Sequence, residues 1–341
     1  VATDLIRTAL QSIVVGESLD VAGARAVMDV IMEAGATPAQ IGALLAALRT
    51  KGESVDELTG MVMSMRDHAT PVQLAPGAVD TCGTGGDGSN TFNISTAAAV
   101  VAAGAGCVVA KHGNRAQSSR CGSADVLEEL GVHVALDARG VQRCVEEAGI
   151  GFIYAPAFHP AMRHAAAVRR ELGIRTVFNI LGPLANPAAV RHQALGVAGN
   201  APAEVMAAVL HRLGHLHALV FSGPGGMDEL GLDGVARAHE VRPDGVREVE
   251  IDPARLGLRV APAAAVAGGD ATTNARIILG VLEGEDGAAR DVVLLNAAAA
   301  IVAADVCVTM AEGVERARAS IDSGAAGDRL RRLVSVSQAA A

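Results

Sequence analysis

Three short stretches of this chain concentrate the residue types that do chemistry. The first, Asp80 to Thr96, reads DTCGTGGDGSNTFNIST and carries Gly83, Gly85 and Gly88 in G-x-G-x-x-G spacing. The second, Lys111 to Asp125, reads KHGNRAQSSRCGSAD and mixes Lys111, His112, Arg115 and Arg120 with Asn114, Ser118, Ser119 and Ser123. The third, FSGPGGMDELG, sets Asp228 and Glu229 side by side in a glycine-rich turn.

The glycine spacing is that of a dinucleotide fold, but such a fold needs an acidic residue about 20 positions on, for the ribose hydroxyl. Here that neighbourhood is CVVAKHGNR, which is basic. A nucleotide P-loop fails as well, because Ser89 and Asn90 follow Gly88 where Lys-Ser/Thr is required. What survives is a turn after a strand, exposing backbone N–H groups and running into the hydroxyl-rich NIST at the start of an Ala-rich helix. Free N–H groups and the helix dipole bind phosphate at such a place; the competing reading is a tight turn with a Ser/Thr cap.

The second stretch follows the apolar run CVVA, at the C-terminal end of a strand, where open α/β sheets take their ligands. Its cations and hydroxyls make a second anion cradle, and Gly113 and Gly122 permit close backbone approach. The acidic pair by itself reads as an ordinary turn. Two anion cradles without a counter-charge turn it into a Mg²⁺ site, since that ion uses one or two carboxylates together with substrate phosphates.

In FHPAMRHAAAVRREL, a strand end leads straight into a helix, which places His159 and Arg169 to face a cleft. The planar guanidinium of Arg169 suits a carboxylate; Arg163, Arg170 and Arg175 read as solvated. His211, His215 and His217 have metal-like spacing, yet Gly214 ends the helix between them and no H-E-x-x-H occurs, so they read as structural. Neither a G-x-S-x-G elbow nor a Cys-His signature is present to indicate acyl transfer.

The elements that must position these residues follow from pattern. Leu5, Ile6, Ala9, Leu10, Ile13 and Val14 repeat with a helical period. Thr37-Pro38-Ala39-Gln40 and Ser54-Val55-Asp56-Glu57 are capping boxes, the first with Pro where its missing N–H costs nothing. About four helices therefore precede any strand. Pro71, Pro76 and Gly77 then break the pattern and divide a helical domain, 1–72, from an α/β domain, 73–341. Beyond them the runs CVVA, VHVAL, GFIYA, ALGVA and ALVFSG alternate with Ala-rich helical segments, which implies right-handed crossovers. The fold class is α/β: a small all-helical domain plus a large domain with a mainly parallel central sheet flanked by helices. HPAMRHAAAVRRELGI and TVFNILGPLANP, about 160–187, read as helices that return to the first bundle.

Composition sets the outer limits. A length of 341 residues is enough for two domains, and with half the residues hydrophobic but only 2% aromatic the core must be built of small aliphatic layers. A net charge of −9 argues against non-specific nucleic-acid binding and for a soluble protein with small partners. Five cysteines without a C-x-x-C read as reduced thiols of a cytoplasmic protein. The most apolar stretches, rich in Ala and Gly, are buried helices rather than membrane spans, and the first residues lack the pattern of a signal peptide.

Taken in this order, the stretches resemble the anthranilate phosphoribosyltransferases of tryptophan biosynthesis. The likeness includes DTCGTGGDGSNTFNIST, KHGNRAQSSRCGSADVLEELG, IYAPAFHPAMRHAAAVRRELGIRTVFNILGPLANP and GMDEL, and runs on through GGDATTNARIILGVLEGEDGAARDVVLLNAAAA. It implies transfer of a phosphoribosyl group from phosphoribosyl pyrophosphate (PRPP) to the amine of anthranilate. It further implies Mg²⁺, a homodimer formed through the helical parts, and neither nucleic-acid nor membrane partners. The PRPP site would use Gly83, Gly86, Asp87, Thr91, Asn93, Ile94, Ser95, Thr96, the stretch Lys111, His112, Gly113, Asn114, Arg115, Ser118 and Ser119, and Ser123. The metal would sit on Ser95, Asp228 and Glu229. Anthranilate would meet Gly83, Asn114 and Arg169, with His112, His159 and Gly182 nearby; Lys111 and His112 are the candidates for a catalytic role. Gly231 departs from the Ser that this family often has after DEL, a change that bears on loop flexibility.

Pyrimidine nucleoside phosphorylases share the architecture but need phosphate and a nucleoside, and KHGNR together with HPAMRHAAAVRREL fits them less well. A non-catalytic, nucleic-acid-binding relative of the same fold would carry a basic groove and lack the acidic pair. This chain is acidic and has Asp228 and Glu229.

Overall fold

The computed structural model describes residues 2–116, 120–199 and 202–341. Four helices open the chain: α1 (Ala2–Val14), α2 (Val21–Met32), α3 (Pro38–Lys51) and α4 (Val55–Asp67). Both capping boxes form. Thr37 and Ser54 accept from the amides of Gln40 and Glu57, whose side chains return the bond to the cap amides. Glu57 is also reached by Lys51 at 2.8 Å and by the Leu19 amide at 3.1 Å, so a local helix signal doubles as a tie between helices.

The α/β part runs β1 (Val79–Gly83), α5 (Ile94–Gly104), β2 (Val109–Gly113), α6 (Ser123–Glu129), α7 (Ala138–Ala148), β3 (Ile150–Tyr154) and α8 (Ala155–Phe158). Next come α9 (Arg163–Leu172), α10 (Phe178–Leu184), β4 (His192–Gly196), α11 (Ala203–Arg212), β5 (His217–Ser222), β6 (Ala236–Arg242) and β7 (Gly245–Ile251). The chain closes with α12 (Ala271–Leu282), α13 (Ala288–Ala303), α14 (Met310–Asp322) and α15 (Ala325–Ala339). The sheet order is β3-β2-β1-β4-β5-β6-β7, parallel from β3 to β5 and antiparallel at β6 and β7.

Two departures from the sequence reading have physical causes. VHVAL pairs with no strand; Val132, Val134 and Leu136 bury their side chains while the His133 amide donates to Ser337 Oγ of α15. Its alternation records a half-buried extended segment, and period 2 alone does not supply a neighbour to pair with. The β6–β7 hairpin was not anticipated, although Pro243-Asp244-Gly245 between its strands is a turn signature.

One face of the sheet carries α5, α13, α14 and α15. Every residue of α13 from Asp291 to Ala303 is buried, and Ala and Gly let these helices approach closely. A Cβ on Gly104 would strike Ser320 Oγ and the Ala326 backbone, so α5 holds its place only with Gly there. The other face, through Leu195, Val197, Ala218, Val220 and Val241, shares one apolar core with α11 and the opening bundle. Helices α9 and α10 join that second core through Ala165, Val168, Phe178 and Leu181, and Arg66 of α4 donates to the Leu184 carbonyl at 2.7 Å. Thus α9 and α10, distant in sequence, pack with the bundle and face the carboxyl ends of the strands.

Candidate functional site

A cleft of about 760 Å³ opens where the carboxyl ends of β1, β2 and β5 meet α9 and α10. All three chemistry-bearing stretches contribute to its wall: Gly83 and Gly86 from the first, Lys111 and Asn114 from the second, Asp228 and Glu229 from the third. Asp228 Oδ2 accepts from the Gly85 amide at 2.6 Å, and Glu229 Oε1 accepts from the Ser95 amide at 3.0 Å. The acidic pair is thereby bound to a loop about 140 positions earlier in the chain.

The pair is held by close backbone approach. A Cβ on Gly83 would meet the Asp228 carboxylate, one on Gly196 the Asp228 carbonyl, and one on Gly223 the Glu229 carbonyl. Three strand ends therefore need glycine to seat the turn. From below, Asn296 of α13 exchanges two hydrogen bonds of 2.9 Å with the backbone N–H and C=O of Leu230. A single Asn in the run VVLLNAAAA was the available sequence signal for this support.

Charge buried around the acidic turn is unbalanced. Burial pushes the Asp228 carboxyl up to about 7, with the nearby Asp87 charge adding to it. Burial likewise raises Glu229 to about 8, reinforced by Asp228 and opposed by Lys111. Asp80, on β1, is raised to about 6 by burial against the pull of Lys111 and Asn186. Lys111 is itself buried; its Nζ donates to the Thr81 carbonyl at 2.5 Å and lies 3.3 Å from Ser95 Oγ. Carboxylates in excess over the one buried lysine make a place where a cation is favoured.

Sequence reasoning offered a phosphate the amides of the glycine turn together with the start of α5, and in the structure the amides at the helix start are engaged within the protein. The Ile94 amide bonds Phe92 O, Ser95 bonds Glu229, and those of Thr96 and Ala97 both bond Asn93 O. The helix end is already capped from within the protein, because the acidic turn reaches it first. Among the described residues the amides of Gly86, Asp87, Gly88 and Asn90, in the glycine loop, have no protein acceptor.

The other nominated residues divide. Ser95, Thr96, His112, Gly113, Ser123 and Arg169 line the cleft. Asn93 lines it too, but its amide group is spent on the Cys121 carbonyl and on Asn274 of α12. Ile94 is fully buried in the core, and Thr91 pairs with Ala267 outside the cleft wall. Asp87 accepts from the Asp228 amide at 3.2 Å. Arg115 reaches the cleft, yet its guanidinium is bound by Glu128 at 2.6 and 2.7 Å and by Asp125 at 3.0 Å. Ser118 and Ser119 lie outside the described residues.

At the α9–α10 side, Arg169 sits over the Phe178 ring at 5.1 Å, its basicity lowered by burial and no carboxylate within reach among the described residues. The His112 and His159 rings lie 5.2 Å apart, tilted by 52°, and burial above all keeps both neutral, lowering them to about 3 and about 4. The Gly182 carbonyl faces the His112 ring, which is how Gly182 joins this group. The Nε2 atoms of His112 and His159 are buried without a partner. Arg175, expected to be solvated, instead donates to the carbonyls of Gly85 and Gly86 at 2.6 and 2.8 Å, and Arg170 also lines the cleft. Nothing local in the sequence separates Arg175 from its exposed neighbours. His215 and His217 lie buried at the opposite end of the sheet, away from this cleft.

Comparison with known proteins points one way. The glycosyl transferase family a/b domain matches residues 75–327, and the helical bundle domain of that family matches residues 7–69. The chain is 57% identical over 335 residues to the anthranilate phosphoribosyltransferase of Chloroflexus aggregans, covering 98% of each. To the enzyme of that name from Thermomicrobium roseum it is 57% identical over 342 residues, covering 99% of this chain and 98% of the other. The crystal structure of anthranilate phosphoribosyltransferase from Thermus thermophilus superposes with a TM-score of 0.92 at 43% identity, over 97% of this chain and 99% of that one. The Saccharomyces cerevisiae enzyme in complex with PRPP and Mg gives 0.90 at 26% identity, over 98% of each chain.

Proposed function

The chain belongs to the anthranilate phosphoribosyltransferases, within the two-domain glycosyl transferase family, and from that premise we propose how its residues divide the work. Its activity is transfer of the phosphoribosyl group to anthranilate in tryptophan biosynthesis. In that reaction the amine nitrogen bonds to ribose C1, the C1–O bond to pyrophosphate breaks, and the amine gives up one proton. Negative charge grows on the leaving group while positive charge grows on the sugar.

The observation that carries the assignment is the meeting of the three strand-end stretches at one cleft, with Asp228 and Glu229 bonded to the loop that offers free amides. The pyrophosphate end of PRPP takes the Gly86 and Asp87 amides, donors already oriented before the reaction. Lys111, held by the Thr81 carbonyl and beside Ser95 Oγ, adds a positive charge in the same cleft. Ser95, Asp228 and Glu229 would hold Mg²⁺. The fit is chemical: they are hard oxygen donors, and both carboxyls are raised by burial and by a neighbouring like charge. Two carboxylates and one hydroxyl leave positions for substrate oxygens and water, as Mg²⁺ prefers. When bound, the ion neutralises charge on the departing pyrophosphate.

Anthranilate enters from the α9–α10 side, its carboxylate on Arg169. That guanidinium is desolvated and otherwise without a counter-ion among the described residues, so a planar carboxylate satisfies it in two hydrogen bonds. His112 stays uncharged at neutral pH and lines the cleft beside the acceptor without competing for its carboxylate. The amine is a neutral nucleophile, so alignment with C1 matters more than a strong base.

The test follows anthranilate fluorescence with PRPP and Mg²⁺, in a chain whose lack of Trp keeps its own signal low. Arg169→Ala is expected to raise the anthranilate KM by about ten- to a hundred-fold, the range for a lost charge-assisted pair, with the PRPP KM within about two-fold. An unchanged anthranilate KM would remove Arg169 from this role.

A further inference from the structure

Arg175 lies in the connection between α9 and α10, about 90 positions from the glycine loop that it reaches. Its Nη1 donates to two consecutive carbonyls, Gly85 O at 2.6 Å and Gly86 O at 2.8 Å. Both glycines have left-handed backbone, with φ of 69° and 71°. From the opposite side the Gly85 amide is held by Asp228 at 2.6 Å.

A trans peptide points its C=O and N–H in opposite directions. Drawing the Gly85 and Gly86 carbonyls onto one cation therefore turns the N–H groups of Gly86 and Asp87 away from it. Neither of these amides has a protein acceptor among the described residues, and the same holds for those of Gly88 and Asn90 further along the loop. Without the cation, two adjacent carbonyls have no reason to point together, and glycine has the backbone freedom to let either peptide flip.

We propose that Arg175 is a positioning residue for the phosphoribosyl donor: by holding the Gly85 and Gly86 carbonyls it orients the Gly86 and Asp87 amides toward the pyrophosphate group. The inference rests on the donor assignment above. It also ties the two halves of the site together. The segment bearing Arg175 continues from α9, whose last turn holds Arg169, and runs into Val177 and Phe178, buried with the helical bundle. The donor loop is thus strapped to the element that carries the acceptor's cation.

The experiment compares wild type with Arg175→Met, a side chain of similar length without donors. Three readouts are needed: PRPP and anthranilate KM values, melting temperature, and hydrogen exchange over the peptide spanning residues 80–90. The expected result is a PRPP KM raised about ten-fold, the effect of losing a charge-assisted bond. The anthranilate KM and melting temperature stay near wild type, and exchange accelerates in the ligand-free loop because the Gly85 and Gly86 carbonyls lose their anchor and the Gly85 amide is then held to Asp228 in a looser loop. A PRPP KM within two-fold of wild type overturns the inference while leaving the activity intact. A raised PRPP KM with unchanged exchange also overturns it, since Arg175 would then touch pyrophosphate without ordering the loop. Should Arg175→Met fail to fold, Arg175→Lys carries the same comparison, with an intermediate KM expected. Wild type that consumes neither substrate would sink the functional reading itself, and this proposal with it.

Discussion

Two ionisable clusters lie at opposite ends of the same sheet, and they are built differently. At the carboxyl end, Asp228, Glu229 and Asp80 are raised to about 7, 8 and 6, with burial the leading cause in each. At the amino end, burial also works to raise Asp305, yet the hydrogen bond and charge of His217 and Arg242 hold it below its ordinary range. Asp305 Oδ1 lies 2.8 Å from both His217 Nδ1 and Arg242 Nη1, and Arg242 Nε donates to Glu240 at 3.1 Å. Desolvation acts at both ends; what differs is the counter-charge. A balanced cluster holds strands and loops together, whereas an unbalanced one leaves a demand that a ligand can meet.

Substituting each cluster tests that contrast, and the largest effect is expected in the cleft. Asp228→Asn with Glu229→Gln should cut Mg²⁺-dependent turnover by about a thousand-fold or more, as loss of a principal electrostatic stabiliser does. Its melting temperature should not fall in metal-free buffer, because two unfavourably buried charges are gone. Full activity at limiting Mg²⁺ would refute the metal role, and a large loss of stability would make the two ends alike.

The same double variant sharpens the contrast through pH. His112, His159 and His215 are lowered to about 3, 4 and 3, chiefly by burial, so they stay neutral in the fold. The unfolded chain protonates such histidines below about 6.5, so they make stability fall as pH drops from there. Asp80, Asp228 and Glu229 act in the opposite sense. Their folded values exceed the unfolded ones of about 3.9 and 4.3, so the folded state takes up protons first and stability rises as pH falls toward those lower values. In metal-free wild type the two sets offset each other between about pH 6.5 and about 4. Asp228→Asn/Glu229→Gln removes two of the offsetting carboxyls, and its melting temperature should fall more steeply than that of wild type over this window. Parallel curves would show that these groups do not govern acid stability.

The smallest effect is expected at the amino end. Asp305→Asn should cost about 1 kcal/mol, the scale of a partly exposed ion pair, measured by chemical denaturation. Turnover should be unchanged, since Asp305 lies away from the cleft. A loss of activity would give that cluster a role beyond holding the sheet.

Much of the architecture is legible because its signals are short. Thr37 with Gln40 and Ser54 with Glu57 act within one helical turn, so the boxes name the starts of α3 and α4 unaided. Alternating strand and helix patterns imply the parallel sheet, and Pro243-Asp244-Gly245 is the turn signature of the hairpin. VHVAL misleads because alternation reports burial of one face and says nothing of a partner strand. Within the site, Asp228 and Glu229 are legible as an acidic pair, and Arg169 as a cation leaving a strand end. Asn296 leaves only the weak trace of one polar residue in an apolar helix, and Arg175 looks like its exposed neighbours.

Residue order alone was enough for the helical opening, the parallel sheet, the two polar strand-end loops and the acidic turn, since each is written in contacts of a few residues. Which amides remain free for an anion was decided by the assembled fold. Glu229 occupies the start of α5 from 134 positions away, and Arg175 turns the glycine loop from about 90. The pattern that marks a helix end as a phosphate site does not record who else reaches it. In this protein a carboxylate reaches it first, and the amides left without a protein acceptor among the described residues, those of Gly86 and Asp87 included, lie upstream in the glycine loop.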